Sequence, residues 1–364
     1  MKFNIPYLSG KEKEYVSQAI ESRSISGDGA FTKKCQAWFE SKFGFKKTFL
    51  TTSCTDALEM AAILLDVKAG DEVIVPSFTF VSTANAFLLR GARIVFADSC
   101  SDSPNIDADK LESLITKNTK AILVMHYGGF ACDMEKIMWL ANEHNLYVVE
   151  DAALALGSNY KGKALGSFGH LSAFSFHETK NISCGEGGML VVNDEQFIKR
   201  AEIIREKGTN RSAFFRGEVD KYGWSDIGSS FLPSDLLAAY LYAQLEAFDF
   251  IQNSRMKIWN MYYEGLKENK NITLPSSGNH NTSIFYFTCT SLEERTKLIA
   301  HLKQNNIPAS FHYQALHKSS FAASSDNLPN SEKYSDTLVR LPLYVDLKDS
   351  EVKSIIEQIN LFFK

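Results

Sequence analysis

DEVIVPSFTFVSTANAFLLRGARIVFAD, residues 71–98, decides the fold class of this chain. An apolar run, DEVIVPS, is followed by a helical segment, TANAFLLRG, and then by a second apolar run, ARIVFAD. Two apolar strands joined by a helix favour a βαβ unit, in which the strands run parallel. The stretch therefore predicts an α/β fold with a parallel or largely parallel central sheet.

The same alternation extends on both sides of this unit. KKTFLTT and TDALEMAAILLDV precede it, and AILVMHY (121–127), a helical stretch (133–144) and LYVVED (146–151) follow it. LSAFSFH and GGMLVVN come next and are predicted to be meander-like strands on one edge. Because ligands of such a sheet bind beyond the carboxyl ends of its strands, functional residues are expected there.

The later part of the chain predicts a separate, smaller domain. A helix begins near Ser234 and leads out of the large domain. Beyond it lie two strand candidates, SIFYFTCT and IPASFHYQ, separated by the helical LEERTKLIAHLKQN, and a C-terminal helix from Ser350. We predict a large domain over residues 1–251 and a small α+β domain over residues 252–364. Residues 208–231 lack a clear period, and so long a loop is predicted to be functional.

Composition and charge argue against several classes of protein. The 39 Lys and Arg against 43 Asp and Glu leave a net charge of −4, and no basic block is interleaved with aromatics, so nucleic acid is not an expected partner. No apolar run is long enough for a membrane helix and the start has no signal-peptide pattern, which predicts a cytoplasmic protein with no membrane partner. Six scattered cysteines without C-x-x-C pairs predict reduced, mostly buried thiols and no metal site.

Two residues after predicted strands have side chains suited to catalysis. Asp151 closes LYVVED, so its carboxylate would point into the crevice beyond the sheet, although helix capping is the simpler interpretation of this motif alone. Lys180 follows an apolar strand and precedes a Gly-rich turn, where partial desolvation would lower the pKa of its amine and make it nucleophilic. Since most lysines are merely solvated, neither residue decides the function alone.

A third element turns these residues into a pattern. Ser53, Cys54 and Thr55 lie between a strand and an amphipathic helix, where hydroxyls and backbone amides could hold a phosphate, although capping explains them equally well. A phosphate cradle, an acid for a pyridinium nitrogen and a Schiff-base lysine are together what pyridoxal phosphate needs. The sequence therefore predicts pyridoxal 5′-phosphate as cofactor, with Lys180 as the catalytic residue and Asp151 against the ring nitrogen.

Several longer blocks carry a resemblance to a known family. They are GDGAFT, TSCTDALEMA, PSFTFVSTANAF, VVEDAA, SFHETKN, REKGTNRSAFFRGEVDKY and DIGSSFLPSDLLAAYLYAQLE. With these blocks the chain resembles, from end to end, the nucleotide-sugar aminotransferases of the DegT/DnrJ/EryC1/StrS family. The resemblance implies a fold type I aminotransferase that works as a homodimer with active sites at the subunit interface.

The resemblance also implies a reaction. L-glutamate would aminate C4 of dTDP-4-dehydro-6-deoxyglucose, giving dTDP-4-amino-4,6-dideoxygalactose for the synthesis of surface polysaccharides such as lipopolysaccharide O-antigen or enterobacterial common antigen. The sequence does not show which face of C4 receives the proton, so the gluco epimer remains an alternative, as does amination of a 3-keto sugar.

Roles for individual residues follow from the same resemblance. Lys180 would be the Schiff-base lysine, and Asp151 would pair with the pyridinium nitrogen. Phe80, in PSFTFVST, would stack on the ring, whereas taken alone it would be a core aromatic. The other implied contacts are to the phosphate from Cys54, Thr55 and Ser175, and to the sugar nucleotide from the FHY-x-x-LH residues His312, Tyr313 and His317.

Two positions depart from the family pattern. Many relatives carry Gln or His three residues after the pyridine-binding acid, facing the phenolic oxygen of the cofactor, and this chain has Leu154 there. Numerous relatives also place Arg or Asn of the neighbouring subunit against the phosphate, where this chain has Leu232, with Ser229 or Ser230 as substitutes.

Two rival functions remain. Sugar dehydratases of the same family replace the lysine with histidine, so Lys180 argues against that class. A sensor or scaffold that kept the fold would show damage to the cofactor site, and Leu154 is the one such sign.

Overall fold

Helices and strands alternate along the chain in the computed structural model, which describes residues 1–278, 280–322 and 324–364. The strands are β1 (Lys47–Thr51), β2 (Glu72–Pro76), β3 (Arg93–Ala97), β4 (Thr119–Met125), β5 (Tyr147–Asp151), β6 (Asn159–Tyr160), β7 (Lys163–Ala164), β8 (Leu171–Ser175), β9 (Gly188–Val192), β10 (Phe285–Thr288) and β11 (Leu338–Leu341). The helices are α1 (Glu12–Glu21), α2 (Ala30–Phe43), α3 (Cys54–Leu64), α4 (Val81–Leu88), α5 (Met134–Glu143), α6 (Ile198–Arg205), α7 (Arg211–Phe215), α8 (Asp235–Glu246), α9 (Phe248–Leu266), α10 (Leu292–Gln304), α11 (Pro329–Thr337) and α12 (Asp349–Phe362).

A seven-stranded sheet with the order β1-β9-β8-β5-β4-β2-β3 forms the centre of the large domain. All neighbouring pairs are parallel except those of β9, which runs antiparallel to β8 and to β1. This confirms the predicted largely parallel α/β sheet. The prediction that β8 and β9 form one edge is wrong in detail, because β1 pairs outside β9 and becomes the edge strand.

The sequences of these strands are nearly continuous apolar runs because helices cover both faces of the sheet. Every residue of β2 and β9 is buried, and so are four of the five residues of β5, the exception being Tyr147. Strands buried on two sides lack the alternation of a half-exposed sheet. Asp151, the last residue of β5, is aligned with Met125, the last residue of β4, and with Ala173, which lies two residues before the end of β8.

The small domain is built on a second sheet, in which β10 pairs antiparallel with β11. The predicted strand SIFYFTCT corresponds to β10, and the predicted helices correspond to α10 and α12. The predicted strand IPASFHYQ is wrong. Only Ser310 makes a bridge, to Arg340, because β11 takes the place beside β10 and the rest of the segment runs across to the large domain.

Helix α9 runs between the two predicted domains. Phe248 and Ile251 pack in a core cluster with residues of α2 and α8, whereas Ile258 and Trp259 pack with β10, β11 and α12. The predicted domain boundary between residues 251 and 252 thus falls inside α9, and it stays a prediction.

The other structural predictions concern loops, cysteines, metals and membranes. Within the long segment at residues 208–231 the structure forms α7 and a bridge between Thr209 and Trp224, and the segment's function is not tested. All six cysteines are free, and four of them are buried. In the described ranges there is no cluster of three or more potential metal ligands. No helix of those ranges is both long and apolar enough to cross a bilayer.

Candidate active site

A cavity of about 440 Å³ opens where the ends of the sheet strands face the small domain. Nine of the ten residues that the sequence analysis proposed for the cofactor and the substrate line it, and His317 does not. The sheet side and the small-domain side contribute different groups. The lining residues of the sheet side include Ser53, Cys54, Thr55, Thr79, Phe80, Ser82, Asp151, Leu154, Ser175 and Lys180. Those of the other side include Phe3, Arg255, His312, Tyr313 and Arg340.

Lys180 lies in the turn that follows β8, where its backbone N–H donates to the carbonyl of His177 at 2.9 Å. Burial lowers the pKa of its amine. Cys54 and Asp151 oppose that shift, and Arg340 adds to it. A lowered pKa raises the fraction of neutral amine near pH 7, and the neutral amine is the form that attacks carbonyl groups and accepts protons. Lys180 is therefore suited to be both nucleophile and base.

Asp151 ends β5 with a carboxylate that is 5% exposed and held by hydrogen bonds. Thr83 Oγ1 donates to Oδ2 at 2.7 Å, and the backbone N–H of Ala153 donates to Oδ1 at 3.1 Å. The hydroxyls of Thr79 and Thr83 lie 2.8 Å apart, and this contact orients the Thr83 hydroxyl that donates to Asp151. This network leaves one buried carboxylate in a set orientation beside the cavity.

The N-terminus of α3 forms the predicted phosphate cradle. Ser53 caps the helix, its hydroxyl accepting from the backbone N–H of Asp56 at 3.0 Å, so Cys54 and Thr55 present the first amides of the helix. The Thr55 hydroxyl donates to Ser82 at 2.8 Å. Gly188 allows this approach, since a Cβ there would lie 2.2 Å from the Ser53 carbonyl carbon. A helix N-terminus with hydroxyls around it binds anions through its amides and its dipole.

The wall beside the cradle is apolar and aromatic. Phe80 is 55% exposed although it precedes a buried helix, and its ring centroid lies 6.0 Å from that of Tyr313. Its exposure to the cavity does not fit a core aromatic and fits the predicted stacking position. Leu154 also lines the cavity and packs with Phe78 and Met125. At this position, where many relatives carry Gln or His, the wall therefore offers no polar side chain.

His312 and Tyr313 face the sheet side from the small domain. Their rings stack with centroids 4.0 Å apart and an interplanar angle of 13°. The Tyr127 hydroxyl is hydrogen-bonded to His312 Nδ1 at 3.1 Å. Burial, together with Arg340 and Lys180, lowers the pKa of His312 far below its usual range, so its ring is neutral. The pair offers a flat, uncharged surface suited to a ring-shaped substrate.

His317 is buried outside this cavity, contrary to its predicted contact with the sugar nucleotide. Its Nε2 lies 3.2 Å from a carboxylate oxygen of Glu332, and its Nδ1 lies 2.6 Å from the Ser77 hydroxyl. The backbone N–H of Leu316 also donates to the carbonyl of Ser77 at 2.8 Å. Both ring nitrogens are thus occupied, and in this chain His317 fastens the segment that carries His312 to the end of β2.

Glu150 stabilises the end of the strand that carries Asp151. The sequence analysis did not assign this role. Its buried carboxylate accepts from His126 Nε2 at 2.9 Å and from the backbone N–H groups of Gly166, Phe168 and Gly169 at 2.6 to 2.8 Å. Burial raises the pKa of Glu150, but His126 and these amides lower it more, so the group is ionised. The network fixes the end of β5 next to Asp151.

Three further residues of the site were missed from the sequence. Thr79 lies two residues before α4 and Thr83 lies in its first turn, and no local pattern predicted that their hydroxyls would meet. Arg340 interrupts the apolar run LVRLPLY, and one charge in a buried strand is a signal of a ligand or a partner.

The arrangement fits pyridoxal phosphate group by group. The cradle at α3 suits the phosphate, the Asp151 carboxylate suits a protonated pyridine nitrogen, and the Lys180 amine suits the aldehyde. The sheet topology, a lysine of lowered pKa and a buried acid on one cavity are together what a pyridoxal-phosphate enzyme of fold type I requires.

Comparisons with known proteins place the chain within that class. It belongs to the DegT/DnrJ/EryC1/StrS aminotransferase family, whose model matches residues 6–360. GDP-perosamine synthase of Escherichia coli O157:H7 is 34% identical over 98% of this chain and 97% of its own length. The spore coat polysaccharide biosynthesis protein SpsC of Bacillus subtilis is 31% identical over 99% and 96%.

A solved structure agrees with this placement. The putative sugar aminotransferase Spr1654 from Streptococcus pneumoniae, in its PMP form, superposes with a TM-score of 0.94 at 26% identity, covering 100% of this chain and 99% of its own. Its PLP form gives a TM-score of 0.92. This chain is therefore an aminotransferase with pyridoxal 5′-phosphate as its cofactor.

Proposed function

We propose that this enzyme transfers the amino group of L-glutamate to C4 of dTDP-4-dehydro-6-deoxyglucose and yields dTDP-4-amino-4,6-dideoxygalactose. The observation that carries the aminotransfer is the convergence of Lys180, Asp151 and the α3 cradle on one cavity. The choice of sugar is supported by the blocks SFHETKN and REKGTNRSAFFRGEVDKY, which resemble the dTDP-4-amino-4,6-dideoxygalactose transaminases.

The chain's own residues supply anchoring and proton transfer. Bound pyridoxal phosphate supplies an electron sink for the carbon that loses its proton. Asp151, held by Thr83, would pair with the ring nitrogen of the cofactor and favour its protonated form. The Lys180 amine would hold the cofactor and, when free, would act as the acid and base that moves a proton to and from the reacting carbon of the donor.

A GDP-linked sugar is the second candidate for the acceptor. GDP-perosamine synthase is the name of a relative that is 34% identical over nearly the whole chain, and this supports a guanine nucleotide as much as a thymine one. The two candidates share the reaction and differ in the nucleotide and in the sugar attached to it.

A product assay separates the candidates. The holoenzyme is incubated with L-glutamate and, in parallel, with dTDP-4-dehydro-6-deoxyglucose, the 3-keto isomer and a GDP-linked 4-keto-6-deoxy sugar. We expect turnover of the dTDP 4-keto sugar, with ring proton couplings that show an axial amine at C4. An equatorial amine would identify the gluco product. Preference for the 3-keto isomer or the GDP sugar would overturn the proposed substrate.

We further propose a cytoplasmic homodimer with the active sites at the subunit interface. The segment at residues 208–231 supports this, because Trp224 is 89% exposed and Phe215 is 69% exposed on it. Ser229 and Ser230 are exposed in the same segment, available to a neighbouring cavity, whereas Leu232 packs against Gly27. Sedimentation equilibrium should give twice the chain mass. A monomer that turns over normally would refute the shared site.

A further inference from the structure

The turn that carries Lys180 is tied to a helix outside the sheet. The next residue, Asn181, is 7% exposed, and its side-chain amide donates to Gln252 Oε1 at 2.7 Å. Gln252 lies on α9, the helix that runs between the two predicted domains. The residue beside the proposed catalytic amine is therefore fastened to a distant part of the chain by a short, largely buried hydrogen bond.

The other contacts of Gln252 fix the orientation of its amide. Its Nε2 donates to the carbonyl of Leu156 at 3.5 Å and to that of Asn281 at 3.3 Å. A carboxamide donates through its nitrogen and accepts through its oxygen, so with Nε2 facing two carbonyls the oxygen faces Asn181. Gly157 leaves room for this amide, since a Cβ there would lie 3.0 Å from Gln252 Nε2.

The same hydrogen bonds join three chain segments that form walls of the cavity. Leu156 lies in the segment that leaves the end of β5 at Asp151. The Asn281 amide donates to the Leu156 carbonyl at 2.9 Å, and its Oδ1 accepts from the backbone N–H of Ser283, which lines the cavity. The turn of Lys180, the segment after Asp151 and the entry to β10 are thus held by one network.

The backbone of the turn needs such support. Residues 178–180 lie outside helix and strand. The N–H of Lys180 donates to the carbonyl of His177 at 2.9 Å, and the N–H of Glu178 donates to that of Gly185 at 2.8 Å. Segments outside regular elements open more readily than strands and helices do. Because a shift of about 1 Å at a reacting group can slow a reaction about 100-fold, a proton-transferring amine on such a turn has to be held in place.

We propose that Asn181 and Gln252 are positioning residues, which together hold the Lys180 amine in place for proton transfer at the reacting carbon of the donor. The inference rests on the proposed function in one respect, that Lys180 carries this proton. Neither residue is among the described residues that line the cavity, so both would act through Lys180. Loss of their bond should slow proton transfer and leave substrate saturation unchanged.

Exchange of the glutamate α-hydrogen with solvent deuterium measures this proton transfer. The holoenzyme is incubated in D₂O with 2-oxoglutarate and a range of L-glutamate concentrations, and the loss of the α-proton signal is followed by NMR. The variants are Asn181→Ala, Gln252→Met and the double variant. Asn269→Ala is the matched control, because the Asn269 amide makes a comparable bond, to Asn360 Oδ1 on α12 at 3.0 Å.

For each single variant we expect the maximal exchange rate to fall about tenfold, near the upper end for one neutral hydrogen bond. The glutamate concentration at half-maximal rate should change by less than about twofold. The double variant should lose no more than either single variant, because both changes remove the same bond. Asn269→Ala should match the wild type. Gln252→Met keeps the length of its side chain, so the test does not depend on the folding of Asn181→Ala.

Hydrogen–deuterium exchange of the apoenzyme, followed by mass spectrometry, gives a second readout that needs no cofactor. In Asn181→Ala and in Gln252→Met the backbone amides of residues 176–187 should exchange at least about threefold faster than in the wild type, because the turn has lost a tie. The amides of β8 should exchange as in the wild type, and so should both segments in Asn269→Ala.

Three results would overturn the inference. The first is an unchanged maximal exchange rate in both single variants. The second is a double variant whose loss is the product of the single losses, which would show that Asn181 and Gln252 act independently. The third is slowed proton transfer without faster amide exchange in the turn. Failure of the proposed function looks different, because α-hydrogen exchange would then persist in Lys180→Ala, which removes the amine itself.

Discussion

The sheet side and the small-domain side of the cavity are built in different ways. On the sheet side, Asp151 ends β5, and Lys180 lies in the turn after the neighbouring parallel strand β8. Thr83 and Glu150 fix the Asp151 carboxylate and its strand. On the small-domain side, His312 lies on an irregular segment fastened through His317 to Ser77, 240 residues away in sequence. We propose that the first side carries the groups that act on any bound substrate and that the second carries groups that select one.

This difference predicts two kinds of mutational effect. A change on the sheet side should slow both half-reactions, because both use the same lysine and the same ring nitrogen. A change on the small-domain side should alter the saturation of one substrate. The following tests run from the largest expected effect to the smallest.

Lys180→Ala should lower both half-reactions by at least about a thousandfold, since it removes the covalent anchor and the proton carrier together. The rates are measured by rapid-mixing absorbance. Lys163→Ala, on the exposed part of β7, serves as the control and should behave as the wild type. If Lys180→Ala retained either half-reaction at more than a tenth of the wild-type rate, the claim that the sheet side carries the catalytic groups for both substrates would be contradicted.

Asp151→Asn should slow both half-reactions by about 100- to 1,000-fold, the range for loss of one preorganised charge at a reacting group. Thr83→Val, which removes the hydroxyl that donates to Asp151, should cost less, about tenfold, and should affect both substrates equally. Single-turnover rates at saturating substrate test this. If the rate fell for one substrate only, Asp151 would belong with the residues that select a substrate, on the small-domain side.

His312→Phe keeps the stacking surface and removes the hydrogen bond with Tyr127. The keto-sugar concentration at half saturation should rise by about three- to tenfold, the range of one hydrogen bond, while the glutamate titration stays the same. His144→Ala, an exposed residue that ends α5, is the control. A larger effect on glutamate than on the sugar would reverse the assignment of this residue.

His317→Ala should reduce stability more than activity. It removes the hydrogen bond between the buried Ser77 hydroxyl and the imidazole and leaves that hydroxyl only the backbone N–H of residue 317, which costs about 1 to 3 kcal/mol in the free energy of unfolding. Urea denaturation measures this loss, and the saturation curves for both substrates should move by less than about threefold. If the variant were as stable as the wild type but needed a much higher sugar concentration for half saturation, the result would support the contact between His317 and the sugar nucleotide that the sequence predicted.

Much of the sheet side could be predicted from the sequence because its groups follow local patterns. Apolar runs mark the strands, and Asp151, Lys180 and Ser53 to Thr55 stand where those runs end. The small-domain side could not be predicted in the same way. The alternation in IPASFHYQ is equally compatible with a strand and with a segment that crosses between domains.

The contacts that were missed depend on distant partners. Ser77 and His317 form a pair that no local pattern contains, and the buried role of Arg340 depends on β11 lying next to β10. The hydrogen bond from Thr83 to Asp151 spans 68 residues. Local propensity fixes where an element lies in sequence, whereas such pairs are fixed by the packing of whole domains.

Reduction of the holoenzyme with borohydride, followed by peptide mapping, tests the central claim most directly. The account predicts that the yellow colour is bleached and that the mass of the reduced cofactor is found on the peptide containing Lys180 and on no other lysine. Attachment at a different lysine, or a wild-type protein that gains no visible absorbance with pyridoxal phosphate, would contradict it.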